Sequence, residues 1–171
     1  MNFRAPVALA SLLLLSAVHV NAQAQGLPNI VFILGDDLGI GDVGLTKSAS
    51  SPIPTPNIDA LARQGMTFTN ANASSSVCAP SRYSALTGNY TFRGRDKWGI
   101  WIYNYVSDIL AGQKTAGDVL RAAGYETAYV GKTHLGGDFY QKNSNQFYRG
   151  NDASQVDFTR QFQNGVLNHG F

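Results

Sequence analysis

Five consecutive apolar residues, Ile30-Val31-Phe32-Ile33-Leu34, stop abruptly at Gly35-Asp36-Asp37. A short apolar run without alternation is the pattern of a strand covered on both faces, which requires helices on either side of a sheet. The sequence offers the remaining elements of such a fold. Thr55-Pro56-Asn57-Ile58-Asp59 opens a short helix, with Thr55 as N-cap, Pro56 in the first turn and Asp59 near the positive helix end. Ile58, Leu61 and Ala62 form its apolar stripe, and Gly65 ends it. Residues 66–70 alternate as a half-buried strand does. Residues 81–87, after Pro80, read as a second helix closed by Gly88. Thr115 caps a third, with Val119, Leu120 and Ala123 on one side and Gly124 at its end, and residues 126–130 read as a strand running into Gly131-Lys132. Strands alternating with short helices predict an α/β fold, a mostly parallel sheet with helices on both faces. Active groups of such sheets gather at the carboxyl ends of the strands. Three polar clusters lie at those ends: Asp36 with Asp37, residues 78–82, and residues 132–134.

Residues 1–24 stand outside this pattern. Arg4 is followed by an almost wholly apolar stretch over residues 7–20, and small residues occupy positions 22 and 24, Ala22 and Ala24. These are the three parts of a secretory signal peptide, whose removal leaves an exported, periplasmic or secreted protein. The stretch is short for a membrane span, which needs about 20 residues, so an uncleaved anchor is the weaker alternative and no stable span is expected after cleavage. In the whole chain of 171 residues, 44% hydrophobic and 14% charged, the composition is that of a globular protein and not of a disordered one. Thirteen basic against eleven acidic residues provide no electrostatic footprint for nucleic acid. A single cysteine excludes internal disulfides and a cysteine-based zinc site.

Two regions are less legible. Residues 93–97 look like a polar turn, and Trp98, Trp101, Tyr103 and Tyr105 are either packed core or the wall of a carbohydrate cleft. Residues 143–154 are polar and rich in asparagine, as a surface loop is.

Cys78 is the centre of the chemical pattern. An unpaired cysteine by itself is more often a small buried hydrophobe than a nucleophile. Its neighbours, Ser76-Val77-Cys78-Ala79-Pro80-Ser81-Arg82, change that expectation. Pro80 preorganises a helix start, so Cys78 lies just before a helix N-terminus, where free amides and the dipole favour negative charge. Arg82, one turn on, points back to the same spot. The result is an anion-receiving corner with a modifiable side chain in it.

Cys78-Ala79-Pro80-Ser81-Arg82 followed by Tyr83-Ser84-Ala85-Leu86-Thr87-Gly88 resembles the signature of the type I sulfatases, members of the alkaline-phosphatase superfamily. Ala85 departs from it, where the family usually carries a larger apolar residue. Pro28 to Gly39 is similar to the family's opening strand and paired-aspartate metal loop, and Thr55 to Ala62 to its first helix. Gly124 to Gly136 looks like its second signature, with Thr133 where the family usually has an aromatic residue. Asn168-His169-Gly170-Phe171 resembles a further family segment. The resemblance therefore runs from residue 28 to residue 171, and implies that residues 25–171 are the N-terminal portion of a longer, here truncated, catalytic domain.

What the resemblance implies is specific. The family's cysteine is oxidised to formylglycine during export by a formylglycine-generating or sulfatase-maturing enzyme, and its hydrate attacks the sulfur of an aryl or carbohydrate sulfate ester. By resemblance Cys78, Arg82, Lys132 and His134 are the catalytic residues. Lys132 and His134 also contact substrate, and His134 accepts the proton of the Cys78-derived hydroxyl. Asp36, Asp37 and modified Cys78 ligate a divalent metal, Ca²⁺ or Mg²⁺; hard oxygen donors suit such a cation, which in the case of Ca²⁺ takes six to eight of them. The further ligands and the leaving-group acid would come from beyond residue 171. Asp42 and Asp59 read as turn and helix-end residues, and His169 as structural. The partner is a sulfated small molecule or glycan. Two alternatives stand beside this sulfuric ester hydrolase: a phosphonate monoester hydrolase or phosphatase of the same superfamily, and a non-catalytic truncated gene product.

Overall fold

The computed structural model describes residues 26–46, 53–95 and 105–171. Residues 1–24, read above as a signal peptide, and Asp96, Lys97, Trp98, Trp101 and Tyr103 lie outside them. The chain divides into two units, Met1–Phe32 and Ile33–Phe171.

The three expected helices form. α1 is Pro56–Gln64, α2 is Cys78–Thr87 and α3 is Ala116–Ala122. α2 starts three residues earlier than the sequence suggests, because Pro80 falls within the first turn, where its missing N–H costs no helical hydrogen bond. Cys78 is thus the first helical residue and does not precede the helix. Gly88 ends α2 in the left-handed region, φ 68°, and its N–H donates to the Ser84 carbonyl at 2.9 Å. In α3 the Thr115 hydroxyl accepts from the Asp118 amide at 3.2 Å, while the Asp118 carboxylate accepts from the Thr115 amide at 2.9 Å. This reciprocal pair satisfies two amides that the helix start leaves open. At α1 the Thr55 hydroxyl does not cap the helix. It accepts from the Gly44 amide at 2.7 Å and donates to Asp59 at 2.9 Å, which ties the loop around a 3₁₀ turn at Ile40–Asp42 to the helix start. Asp42 and Asp59 are accordingly the turn and helix-end residues expected.

The strands are where sequence and structure part. The only ladder among the described residues is a two-residue antiparallel pair, β1 (Tyr140–Gln141) with β2 (Val156–Asp157). Ile30, Val31 and Phe32 in the first unit, and Ile33 and Leu34 in the second, form no ladder among the described residues and are exposed, Val31 and Ile33 at 80%. Residues 66–70 form no ladder either, and Met66 and Phe68 are exposed. Along residues 125–130 burial does alternate, with Tyr125, Thr127 and Tyr129 half-buried and their neighbours exposed, yet no strand pairs with them among the described residues. An apolar pattern specifies which face a strand needs covered; the cover itself must come from another element. The same holds for Ile58 and Leu61, which stay exposed on α1.

The core is small. Ala79 and Tyr83, one turn apart on α2, pack with Ile109 and Leu135, and Leu86 leans on the cluster. The Tyr83 hydroxyl accepts from Gln113 at 2.6 Å. The Asp108 amide donates to the Leu135 carbonyl at 2.9 Å, joining the two loops that bring Ile109 and Leu135 to the helix. Asp108 itself is fully buried, with one carboxylate oxygen accepting from Arg95 at 2.6 Å and the other without a partner among the described residues.

A second packing centre closes the end of the chain onto α3. The Thr115 hydroxyl donates to the His169 carbonyl at 2.6 Å, and the Thr127 hydroxyl donates to that of Gly170. Gly117 leaves room for the Phe171 ring, and Gly170, at φ 84°, passes so close to the Gly117 and Asp118 backbone that no side chain fits. The buried His169 is structural, as expected: its Nε2 meets Asn164 Oδ1 at 2.6 Å. The Asn164 amide nitrogen donates to Ile109 O and Asp138 Oδ2, which identifies Oδ1 as acceptor and Nε2 as donor. Residues 143–154 are mostly exposed, apart from a buried Tyr148.

Two outcomes follow. Thr115→Ala should lower stability by about 1 kcal/mol in urea unfolding, and Gly170→Ala by more, since it meets both a positive φ and the α3 backbone. Burial pushes the Asp108 carboxyl up to about 7 against the pull of Arg95. A raised folded-state pKa means that the folded chain binds the proton more tightly. The associated stability is full below the ordinary carboxylate range, near 3.8, and is lost as pH rises through about 7. Melting curves between pH 4 and 8 should show that loss, and Asp108→Asn should flatten it.

Candidate active site

The site is built around one carboxylate. Asp36 follows the apolar run, and its Oδ2 accepts from both Arg82 Nη2 and Lys132 Nζ, each at 2.9 Å. Its Oδ1 faces the Cys78 thiol, which donates at a long 3.9 Å. α2 places Cys78 and Arg82 one turn apart on the same side, and Arg82 is buried to 9% exposure. Its other nitrogen, Nη1, donates to the Lys132 carbonyl at 2.5 Å. The guanidinium therefore joins the backbone of one loop to the side chain of another.

Charge is strongly ordered here. Lys132 and then Arg82 hold the Asp36 carboxyl far below the usual carboxylate range. Asp36 in turn raises the Lys132 ammonium. Burial works against the charge on Arg82, but Asp36 and the Tyr129 hydroxyl outweigh it and leave its pKa above the ordinary value. A folded-state carboxyl pKa below the unfolded one gives stability that is present above about pH 4 and lost as pH falls through the folded value.

Of the residues expected at the site, Cys78, Arg82, Lys132 and Asp36 are brought together. His134 is not joined to Cys78 by any hydrogen bond among the described residues. It is half-buried, takes a positive φ of 53°, and its Nδ1 is buried without a partner there. Asp37 is exposed beside Asp36. The departures from the sulfatase pattern fall on an exposed position of α2, Ala85, and a half-buried loop position, Thr133.

Fitness for a divalent metal turns on the donors. Asp36 Oδ1 and the Asp37 carboxylate are hard oxygens that form no ion pair among the described residues, so they fit such an ion in kind. Among the described residues no group of three or more acidic, histidine or cysteine side chains is arranged to hold one. Further oxygens would have to come from other groups.

The sequence model of the Sulfatase family matches residues 28–168. The chain belongs to the sulfatase family. This sulfatase-family chain is 46% identical over 116 residues to N-acetylgalactosamine-6-O-sulfatase of Bacteroides thetaiotaomicron, a match covering 68% of the chain and 22% of the relative. It is 38% identical over 136 residues to human steryl-sulfatase, covering 77% and 23%, and 39% identical over 123 residues to human arylsulfatase A, covering 72% and 24%. The chain thus spans less than a quarter of the length of these relatives. No solved structure matches it. Membership of the sulfatase family implies an α/β fold; the described residues contribute three helices and one antiparallel pair, and no parallel pair. No helix among them is long and apolar enough to cross a membrane.

Two partners of the site were not singled out from sequence. Tyr129 donates its hydroxyl hydrogen to the Lys132 carbonyl at 2.9 Å, and Arg95 neutralises the buried Asp108 behind the core. The alternating segment 125–130 carried the signal for Tyr129, whose side falls with Tyr125 and Thr127. Nothing local marks Arg95, which lies 13 positions from its partner.

Removing the central carboxylate should cost more than removing its exposed partner. Asp36→Asn leaves the buried Arg82 guanidinium without a counter-charge. Lys132→Met removes an ammonium that is 48% exposed. Calorimetric melting should therefore rank Asp36→Asn as the less stable variant.

Proposed function

We propose that the protein hydrolyses sulfate esters of an aryl or carbohydrate alcohol, with Cys78 as formylglycine. The observation that carries this is the convergence of Cys78, Arg82 and Lys132 on Asp36. A modifiable side chain with two fixed cations beside it suits attack on an anionic tetrahedral centre. Breaking the bond between sulfur and the alcohol oxygen builds charge on the sulfuryl oxygens, and preorganised cations lower the cost of that charge. In this assignment Lys132 binds a sulfate oxygen with N–H groups not given to Asp36, His134 also contacts the substrate, and Arg82 lowers the cost of deprotonating the Cys78-derived hydroxyl. His134 accepts the proton of that hydroxyl; its Nδ1, without a partner among the described residues, supports that role. Formylglycine, once hydrated, offers two hydroxyls on one carbon, so that one attacks while the other later expels sulfate.

Asp36, Asp37 and modified Cys78 would hold Ca²⁺, or Mg²⁺, whose charge adds to that of the two cations. Residues 1–24 direct export to the periplasm or beyond, and residues 25–171 form part of a catalytic domain with a mostly parallel sheet and helices on both faces. The substrate is a sulfated small molecule or glycan, in keeping with the names N-acetylgalactosamine-6-O-sulfatase and steryl-sulfatase among the relatives. The maturing enzyme that oxidises Cys78 is a necessary partner.

Peptide mass spectrometry of the exported full-length protein should show an aldehyde in place of the Cys78 thiol, and Cys78→Ala should abolish turnover of an aryl sulfate. An intact thiol in a host with the maturation machinery, or preferred turnover of aryl phosphate or phosphonate, overturns the assignment.

A further inference from the structure

The Lys132 carbonyl is an unusual hub. Both its lone pairs are taken, one by Arg82 Nη1 at 2.5 Å and one by the Tyr129 hydroxyl at 2.9 Å. The Tyr129 hydroxyl has one hydrogen to give and gives it to that carbonyl, so Arg82 and Tyr129 grip the same backbone oxygen. The tyrosine ring is held in turn. Phe171 meets it edge-on, 5.5 Å between centroids at 80°, and Phe171 is seated over Gly117 at the start of α3.

We infer that Tyr129 is a positioning residue for Lys132, setting its backbone relative to the Arg82 guanidinium through its hydroxyl. The inference rests on the assignment of Lys132 to sulfate binding. Lys132 follows Gly131, whose φ is 102°, and the loop from 131 to 134 has few other anchors: the described hydrogen bonds that hold Lys132 are those to Arg82, Tyr129 and Asp36. Lys132 Nζ has three N–H groups to share between Asp36 and a substrate, and its flexible stem fixes the backbone only loosely. Arg82 and Tyr129 are the two groups bonded to the Lys132 backbone itself. A ring that only filled space would have no use for a hydroxyl bonded to the Lys132 carbonyl; phenylalanine would pack against Phe171 equally well.

The test is Tyr129→Phe in the full-length protein, produced with its maturing enzyme and compared with wild type in three measurements. The KM for an aryl sulfate and the inhibition constant of inorganic sulfate should both rise, by roughly fivefold, the size expected from one neutral hydrogen bond, with kcat affected less. Amide hydrogen exchange over residues 131–134 should accelerate. The melting temperature should stay close to that of wild type. Unchanged KM, sulfate inhibition and exchange overturn the inference, and so does a lowered melting temperature with KM and exchange unchanged, which assigns Tyr129 to packing alone. If the wild type turns over no sulfate ester, the functional assignment fails separately. Exchange over residues 131–134 then decides the positioning role by itself, faster exchange upholding it and unchanged exchange overturning it.

Discussion

A guanidinium that is nine-tenths buried has to be paired, and much of this chain is arranged around that requirement. Arg82 sits on the inward side of α2, next to Tyr83 of the core, where an uncompensated charge would be costly. Its partners come from far along the chain. Asp36 is 46 positions before it, and the Lys132 carbonyl 50 positions after. Meeting those two demands brings the end of the apolar run, the start of α2 and the glycine-bounded loop at 131–136 to one place. The chemistry of the site is in this sense a by-product of satisfying one buried cation.

The same pairing explains the electrostatic character of the site. Three charged groups share a small volume with a net charge of one positive unit, Asp36 against Arg82 and Lys132. The carboxylate is kept ionised by its partners, and the ammonium is kept protonated by the carboxylate. An incoming dianion or monoanion meets cations whose protonation state does not vary near neutral pH. Asp108 behaves in the opposite way because its environment is opposite. It is enclosed, and among the described residues Arg95 is its one cation and one of its oxygens has no partner, so desolvation dominates.

Local signals were legible wherever the physics is local. Pro56, Thr115, Gly65 and Gly88 mark helix boundaries because capping and backbone freedom involve neighbours in sequence, and the helices lie where those residues put them. The start of α2 was displaced by three residues because proline is tolerated throughout the first turn. The apolar run at 30–34 and the alternation at 66–70 were legible as patterns and uninformative about outcome. Strand pairing depends on a second segment, and sequence patterns state only which faces need one.

The amino-acid sequence by itself determined the family and the chemical vocabulary of the site. Cys78 and Arg82 one helical turn apart, the paired aspartates after an apolar run, and Lys132 and His134 after Gly131 are all short-range relations, and all lie within the residues 28–168 that the family model matches. The tertiary structure alone decided which of those groups share hydrogen bonds. It put Asp36 between the two cations, gave His134 no hydrogen bond to Cys78 among the described residues, and introduced Tyr129 and the pair of Arg95 with Asp108. Contacts across 13 to 96 positions are set by packing and by the need to pair buried polar groups, and neither is written in the spacing of residues along a chain.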